Sequence, residues 1–409
     1  MMASIPAEAL ACCDRLGDRE AVVDGEERWT FAELGSRVRR AAAAMIAQGI
    51  EPGDRVAVWA PNSGLWVVAA LGLQAAGATL VPLNTRFKGP EAAPILARTH
   101  AKLLCTVTGF LDIDPIGMLA SSYVELPDLV SVVILDGEIP DGTIGWNDFV
   151  FAGDDVVDAA VDARVAQITS DDLSDIMFTS GTTGTPKGVM MAHGQTLKLF
   201  DDWCDFADLR EGDRYLIVNP FFHMFGYKAG WLACLLRGAT ILPVPLFDVE
   251  AVLERVQGER VTVFPGAPTI YQTILDHPGV DSFDLSSMRV AVTGAADIPV
   301  VLIERIRAEL PFERVLTGYG LTEAGTCTGS GPDDDPVTIA TTAGRAMVDV
   351  EVRIAASDGS EAPPGETGEI VVRGGNVMQG YLDDPDATAA AIDTDGWFHT
   401  GDLGTMDDR

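Results

Sequence analysis

The sequence has little positive charge and no long uninterrupted apolar run. Five of its 409 residues are lysine, and 28 Lys and Arg oppose 61 Asp and Glu, giving a net charge of −33. Such an acidic chain argues against nucleic acid and anionic membranes as partners, and its charge is most simply explained by solubility or adaptation to salt. The longest apolar candidate, 65–81, is broken by Gln74 and by glycines, so we expect no membrane-spanning helix.

Paired cysteine spacings are also missing. The six cysteines form no Cys-x-x-Cys pattern, which is typical of reduced, largely buried thiols in a cytosolic protein. The first fourteen residues carry no basic residue before their apolar stretch, so no signal peptide is expected. With 47% hydrophobic residues the chain has ample material for a packed interior, and its length predicts roughly three structural units.

Alternating strand and helix patterns predict a parallel α/β architecture. The string Thr30-Phe-Ala-Glu33 is a capping-box sequence, which favours a helix start there and a helix that continues to Gln48. Strand-like and helix-like segments alternate over 55–107 and again over 215–316. From about residue 340, short strands separated by turns predict a small β-barrel-like unit. The expected approximate subregions are 1–170, 171–335 and 336–409.

Residues 179–188, Thr-Ser-Gly-Thr-Thr-Gly-Thr-Pro-Lys-Gly, have a composition suited to phosphate binding. Glycines allow close approach of the backbone to an anion, hydroxyls and N–H groups donate to its oxygens, and Lys187 supplies charge. The segment is not a Walker A loop, because Lys187 follows a proline and precedes a glycine. Apolar runs at 176–178 and 189–192 flank it, so we expect a turn joining two strands, with a helix beginning near Gln195.

Two later strings fit the same chemistry: Gly-Tyr-Gly-Leu-Thr-Glu-Ala at 318–324 and His-Thr-Gly-Asp at 399–402. In this order the three strings resemble the adenylate-forming superfamily of acyl-CoA synthetases, firefly-type luciferases and peptide-synthetase adenylation domains. The resemblance extends along essentially the whole chain. It implies two doubly wound α/β subdomains plus a small distorted β-barrel, the fold of the superfamily's AMP-binding N-terminal domain over 1–409.

The resemblance also implies a reaction. ATP activates a carboxylic acid to an acyl-adenylate with release of pyrophosphate, and the acyl group then passes to CoA. The expected small molecules are therefore the acid, ATP, CoA and Mg²⁺. Two alternatives stay open: an adenylating enzyme that loads a carrier protein, and a nucleotide-binding fragment without turnover. A homodimer is also left open.

Site residues follow from the resemblance, position by position. Lys187 and the hydroxyls of the first string would hold the β- and γ-phosphates, and Thr322 would contact phosphate. Small residues after a predicted strand would let adenine and the acyl chain approach the backbone. The expected ATP-binding residues are Thr179, Ser180, Gly181, Thr182, Thr183, Gly184, Lys187, Gly294, Ala295, Ala296, Gly318, Tyr319, Gly320, Thr322 and Asp402.

Glu323, Tyr319 and Asp402 each have a structural alternative, as do residues 294–296, which could form a packing turn. Glu323 resembles the family's magnesium ligand, although a Glu at a helix start would be favoured by the helix dipole. Tyr319 would stack on adenine, with a core aromatic as the alternative. Asp402 matches the Asp that accepts both ribose hydroxyls, where the alternative is an ordinary turn Asp. The expected catalytic residues are His223, Lys187, Thr322 and Glu323.

The acyl group is expected to lie near His223, which could donate to a developing oxyanion, although a lone His beside aromatics is often structural. Lys228 could bind a polar group on the acid, such as a ketone; the alternative is a surface or ion-paired lysine. We interpret His193 as structural and assign no role to the other histidines. The expected acyl-binding residues are Phe222, His223, Tyr227, Lys228, Gly294 and Ala324.

Two further features concern the end of the chain and the acid. Family members carry a smaller C-terminal domain beyond a hinge that follows the Thr-Gly-Asp string, and this sequence stops at Asp408-Arg409, so we expect the large N-terminal domain alone, with impaired turnover. The strings at 219–223, 226–230, 268–272 and 275–278 look similar to actinobacterial ligases that activate ring propanoates from steroid degradation.

Overall fold

The computed structural model describes residues 4–179, 186–294 and 298–408. The chain divides into two compact units. The first unit comprises Met1–Leu197 and Arg210–Phe247, and the second comprises Lys198–Leu209 and Asp248–Arg409. Helix α8, His193–Phe206, supplies residues to both.

The first unit alternates strands and helices as the sequence pattern predicts. Its strands are β1 Glu20–Asp24, β2 Glu27–Thr30, β3 Arg55–Trp59, β4 Thr79–Pro82, β5 Ala101–Val107, β6 Ser131–Asp136, β7 Ile144–Gly145, β8 Leu173–Thr179, β9 Lys187–Ala192, β10 Arg214–Ile217 and β11 Thr240–Pro243. Its α-helices are α1 Ile5–Leu16, α2 Phe31–Ala47, α3 Gly64–Ala75, α4 Gly89–Arg98, α5 Pro115–Ala120, α6 Trp146–Phe151, α7 Asp158–Gln167, α9 Met224–Gly226 and α10 Ala233–Arg237. A 3-10 turn covers Phe110–Asp112, and a π-helical segment covers Tyr227–Leu232.

The second unit begins with the same alternation and ends in short strands. Its strands are β12 Val263–Pro265, β13 Val290–Gly294, β14 Arg314–Leu321, β15 Gly325–Gly329, β16 Arg345–Ala346, β17 Val350–Ala355, β18 Gly368–Gly374, β19 Gly380–Tyr381 and β20 Phe398–Gly404. Its helices are α11 Val249–Glu259, α12 Pro268–Leu275, α13 Val300–Glu309, α14 Pro336–Thr341 and α15 Pro385–Ala391, with a 3-10 turn at Val280–Ser282.

Parallel pairing dominates the first unit. Strands β4, β3, β5, β6 and β7 pair in parallel in that order, β8 pairs in parallel with β4, and β9 closes back antiparallel on β8. A second group pairs β10 with β11 and β11 with β1 in parallel, and β2 with β1 antiparallel. Crossover helices are what such parallel strands require.

Local sequence signals set several element boundaries. The predicted capping box starts α2: the Glu33 backbone N–H donates to the Thr30 hydroxyl at 3.2 Å, and the Thr30 N–H donates to the Glu33 carboxylate at 2.7 Å. The apolar run 65–81 becomes helix α3 and strand β4, both buried within the first unit. Among the described residues, no helix has the length and apolar content needed to cross a bilayer.

The end of the second unit is an open sheet. Strands β12, β13 and β14 are parallel, β15 and β16 continue antiparallel, and β17, β18 and β20 form a separate three-stranded antiparallel sheet. The sequence predicts a small β-barrel-like unit here. The predicted short strands are present, but the described residues close no barrel, because the sheet stops at three strands.

All six cysteines are buried, as their spacing predicts: Cys12, Cys13, Cys105, Cys204, Cys234 and Cys327.

Candidate active site

Strands β8 and β9 form the hairpin that the sequence predicts around the phosphate-binding string. Thr179 at the end of β8 is the register partner of Lys187 at the start of β9, and both are half-buried. Helix α8 begins at His193, directly after β9. The predicted phosphate contacts Ser180, Gly181, Thr182, Thr183 and Gly184 lie outside the described residues.

Arg98, a residue that the sequence analysis did not single out, contacts both flanks of this string. Its Nη1 donates to the carbonyl oxygen of Pro186 at 2.7 Å, and its guanidinium carbon lies 5.5 Å from the centre of the Phe178 ring. Nothing in the sequence around Arg98 indicates these contacts, because they join segments that are 80 or more residues apart.

His223 is solvent-exposed and precedes helix α9. Its Nδ1 accepts a hydrogen bond from the Phe225 backbone N–H at 3.3 Å. Desolvation of the ring by nearby protein atoms lowers the pKa of His223 below its ordinary value, which favours the neutral form at pH 7. A neutral imidazole that accepts at Nδ1 carries its proton on Nε2. His223 therefore presents an Nε2–H donor, as its predicted oxyanion role requires.

Two predicted acyl contacts lie in the interior of the first unit. Tyr227 is fully buried, and its hydroxyl accepts from Nε2 of Gln74 at 2.9 Å. Lys228 is 1% exposed, and its Nζ lies 2.8 Å from Oδ1 of the fully buried Asp175. Lys228 is thus the ion-paired lysine of the alternative interpretation. A charge already paired in the protein interior is not presented to a ketone, so we withdraw that role.

The other predicted acyl residues are placed differently. Phe222 is half-buried beside His223. Ala324 is buried in the second unit, where its carbonyl accepts from Nδ2 of Asn376 at 2.7 Å.

His193 is buried, and its Nδ1 accepts from the Ile5 backbone N–H at 3.3 Å, which agrees with the structural interpretation.

The Gly-Tyr-Gly string lies in strand β14. Strands β14 and β15 form an antiparallel hairpin, in which a Cβ on Gly320 would collide with the carbonyl oxygen of Gly325. A Cβ on Gly318 would lie 3.0 Å from the Thr328 carbonyl oxygen. Strand packing therefore accounts for both glycines.

Gly294 ends strand β13, where the sequence predicts small residues at a strand end. A Cβ on Gly294 would lie 2.9 Å from the carbonyl oxygen of Gly318, so the parallel pairing of β13 with β14 already needs a glycine here. The neighbouring predicted contacts Ala295 and Ala296 lie outside the described residues.

Glu323 lies in the turn between β14 and β15, together with Thr322, and both are half-buried. This position excludes the alternative of a helix-start Glu. The Tyr381 hydroxyl donates to Oε1 of Glu323 at 3.1 Å, and the Met378 N–H donates to the Glu323 carbonyl oxygen at 2.7 Å. The turn is thus held from two sides, and one carboxylate oxygen of Glu323 is oriented by a phenol.

Asp402 lies on an irregular part of β20. Glu369 pairs with Leu403 and Val371 pairs with His399, so β20 advances four positions where β18 advances two, which makes a bulge in β20. Gly401, within this bulge, adopts φ +78°. Bulges commonly re-aim a side chain next to a functional site. Asp402 is exposed, and its Oδ2 accepts a 2.6 Å hydrogen bond from the hydroxyl of the half-buried Tyr319.

The position of Glu323 is compatible with a magnesium ion that binds together with a nucleotide. No group of three or more His, Cys, Asp or Glu side chains within the described ranges could hold a metal by itself. Mg²⁺ usually takes one or two carboxylates together with substrate phosphates, so a single oriented carboxylate such as Glu323 fits that need.

Comparison with known proteins defines the class. The model of the AMP-binding enzyme family matches residues 11–382. The chain is 52% identical over 408 residues, 99% of this chain and 77% of the relative, to the 3-(7a-methyl-1,5-dioxo-octahydro-1H-inden-4-yl)propanoyl:CoA ligase of Rhodococcus jostii. It is 50% identical over 405 residues, again 99% and 77%, to the ligase of that name in Mycobacterium tuberculosis.

A solved structure agrees with these relatives. The inhibitor-bound N-terminal domain of FACL13 from Mycobacterium tuberculosis superimposes with a TM-score of 0.88 at 29% identity, covering 100% of this chain and 98% of that domain. The protein therefore belongs to the AMP-binding enzyme family of adenylate-forming proteins. Within it, the chain is an acyl-CoA ligase, which activates a carboxylic acid with ATP and transfers the acyl group to CoA. The carrier-loading and non-catalytic alternatives are not favoured.

Proposed function

We propose that the acid activated by this ligase is a bicyclic, ketone-bearing propanoate from steroid-ring breakdown. The observation that carries the proposal is the 52% identity, over 99% of the chain, to a ligase named for a methyl-dioxo-octahydroindenyl propanoate. A second ligase of the same name at 50% identity supports it. Since Lys228 is paired with Asp175, groups other than this lysine would recognise the ring ketones.

We propose roles for the site residues in the two half-reactions. In the first, a carboxylate oxygen of the acid attacks the α-phosphorus of ATP, and the bond to the bridging oxygen of the leaving pyrophosphate breaks. Thr179, Lys187 and the loop between them would hold the β- and γ-phosphates. Thr322 would contact phosphate, and Glu323 would bind Mg²⁺, whose chemistry is to neutralise phosphate charge.

The remaining roles concern nucleoside and acyl group. Asp402 would accept from the ribose hydroxyls, and Tyr319 would contact adenine. In the first half-reaction the Nε2–H of His223 would donate to one oxygen of the acid's carboxylate and orient it for attack. In the second, the CoA sulfur attacks the acyl carbon and AMP leaves, and the same N–H would donate to the oxyanion that develops on the acyl oxygen. Phe222 would pack against the acyl chain. A cytoplasmic location and a homodimer remain predictions.

A substrate panel tests the acid. The full gene product is assayed for ATP-dependent pyrophosphate release and acyl-CoA formation with the diketo indenyl propanoate, its analogue lacking both ketones, ferulate and linear fatty acids. We expect kcat/KM for the diketo acid to exceed that for every other acid by at least about tenfold, because a site built to hydrogen-bond a carbonyl leaves polar groups unpaired with the analogue. Preference for a linear fatty acid would overturn the substrate proposal but not the ligase class.

A further inference from the structure

A buried polar network lies in the first unit and includes two residues of strand β8, at whose end the predicted phosphate string begins. We call its members, Ser174, Asp175, Thr196 and Lys228, the inner network. Lys228 Nζ lies 2.8 Å from Oδ1 of Asp175 and donates to the Thr196 hydroxyl at 3.2 Å. The Ser174 hydroxyl donates to Oδ2 of Asp175 at 2.6 Å. All four side chains are at most 1% exposed.

The inner network joins two segments that the proposed function needs. Asp175 is in β8, four residues before Thr179, where the phosphate string begins. Lys228 is in the π-helical segment, five residues after His223. Thr196, in the first turns of α8, contacts the lysine as well. The strand entering the loop and the segment following His223 are therefore joined through charged and polar atoms.

A second bridge connects the same two segments. Gln74 of helix α3 donates through Nε2 to the Ser174 carbonyl oxygen at 3.0 Å and to the Tyr227 hydroxyl at 2.9 Å. Tyr227 also stacks on Trp231, with ring centroids 4.8 Å apart. Two bridges thus join β8 to the π-helical segment: Gln74 connects Ser174 with Tyr227, and the next residue of each segment, Asp175 and Lys228, forms the ion pair.

The chemistry of the inner network is unusual for a purely structural contact. Removing two charges from water is costly, and replacing a buried ion pair by apolar residues of similar volume is often neutral or stabilising. Apolar packing would therefore serve for stability alone. Hydrogen bonds and ion pairs, unlike apolar packing, depend on direction and distance, so they fix one relative position of the two segments. Such fixing is relevant to the π-helical segment, because π-helices are rare and are frequently found at functional sites.

We propose that Lys228 and Asp175 are positioning residues for adenylation, which hold the segment carrying His223 in register with the strand that enters the phosphate loop. The inference rests on the proposed roles of His223 and of the loop. A displacement of about 1 Å from a productive geometry can cost on the order of 10²-fold in rate, so the network acts on the reaction without touching the substrate.

The test separates positioning from stability. In the full gene product, Lys228→Met, Asp175→Val and the double variant are compared for melting temperature, ATP affinity and the single-turnover rate of acyl-adenylate formation. Each single variant should melt lower, because it leaves one charge buried without its partner. The double variant should regain a melting temperature near that of the parent. Its adenylation rate should stay at least about tenfold below the parent, while the Kd for ATP changes less than about threefold.

A matched control uses a half-buried ion pair elsewhere. Arg289 Nη1 lies 2.8 Å from Oδ2 of Asp208 in the second unit. Arg289→Met combined with Asp208→Asn should leave the adenylation rate unchanged; Asn suits the positive φ of Asp208. If this control slows adenylation as much as the double variant does, the effect is general and the proposal fails.

A milder variant keeps the proposal testable if the double variant does not fold. Tyr227→Phe removes only the hydroxyl that Gln74 contacts. We expect an adenylation rate about threefold lower and an unchanged ATP affinity, with a slightly lower melting temperature because Gln74 loses one buried acceptor. Parental rates in Tyr227→Phe, or in a folded double variant, would overturn the proposal. A parent that releases no pyrophosphate with any acid would instead defeat the proposed function, and with it the reaction that this positioning serves.

Discussion

The hydroxyl of Tyr319 donates a 2.6 Å hydrogen bond to Oδ2 of Asp402 and thereby joins two of the sequence strings that predict nucleotide binding. Burial of the phenol and the neighbouring Asp402 carboxylate raise the pKa of Tyr319 above its ordinary value, so the hydroxyl remains a donor at every physiological pH. The protein itself thus orients the Asp402 side chain.

Asp402→Ala should weaken binding of ATP or AMP to this chain more than tenfold, because each charge-assisted hydrogen bond to a diol contributes roughly 1.5–3 kcal/mol. Titration calorimetry provides the measurement. Tyr319→Phe, which removes only the orienting hydroxyl, should weaken binding less than Asp402→Ala does. Equal affinity of Asp402→Ala and the parent would remove this aspartate from the site.

Glu323→Gln should lower magnesium-dependent adenylation by about 10²-fold or more, the usual cost of losing one preorganised electrostatic contact. The substitution keeps the size of the side chain, so the melting temperature should change little. Tyr381→Phe is the matched variant, since it keeps the carboxylate and removes its phenolic donor. A large loss of stability in Glu323→Gln would instead favour a structural role for the carboxylate in the β14–β15 turn.

Arg98→Met should weaken ATP binding by about threefold to tenfold, because the hydrogen bond to the Pro186 carbonyl, which holds the end of the phosphate string, is lost. The exposed Arg86→Met serves as a control for the loss of one positive charge in this acidic chain. Equal ATP affinities of the two variants in calorimetry would show that Arg98 acts only through its charge.

The stability of the protein should fall as the pH drops from about 6.5 towards 4. Burial is the main reason why the pKa of His193 is lowered from 6.5 to about 4, so the unfolded chain takes up a proton that the folded chain refuses. The contribution is fully present above pH 6.5, and roughly 3 kcal/mol is lost over this interval.

Urea unfolding at a series of pH values measures this loss. His193→Asn keeps an acceptor for the Ile5 N–H and should have a flatter stability profile between pH 6.5 and 4. His277→Gln should retain the slope of the parent. An unchanged slope in His193→Asn would assign the acid sensitivity to other groups.

Short-range signals explain what the sequence could predict. The capping box at Thr30 and the hairpin of β8 and β9 were predicted because the deciding residues are neighbours in the chain. Strand β14 is longer than its pattern indicates, since Gly318 and Gly320 favour a loop locally and only pairing with β15 extends the strand.

Long-range contacts explain what the sequence could not predict. In the sequence, Asp175 is a single acidic residue that interrupts an apolar strand pattern. Only the structure shows that it is paired with Lys228, 53 residues away. The same holds for the Tyr381 hydroxyl on Glu323, which joins residues that are 58 positions apart. Sequence motifs predict which residues bind a ligand. Which side chains orient those residues depends on tertiary packing.

The buried thiols make the chain a convenient host for site-specific labelling. Burial raises the pKa of Cys13, Cys105 and Cys327 to about 12, so these side chains remain thiols rather than reactive thiolates at neutral pH. A single cysteine introduced at an exposed position, for example Arg86→Cys, should then react with a maleimide dye far faster than the six native ones. A dye at such a position could be followed by fluorescence in the wild-type background, without first replacing any native cysteine.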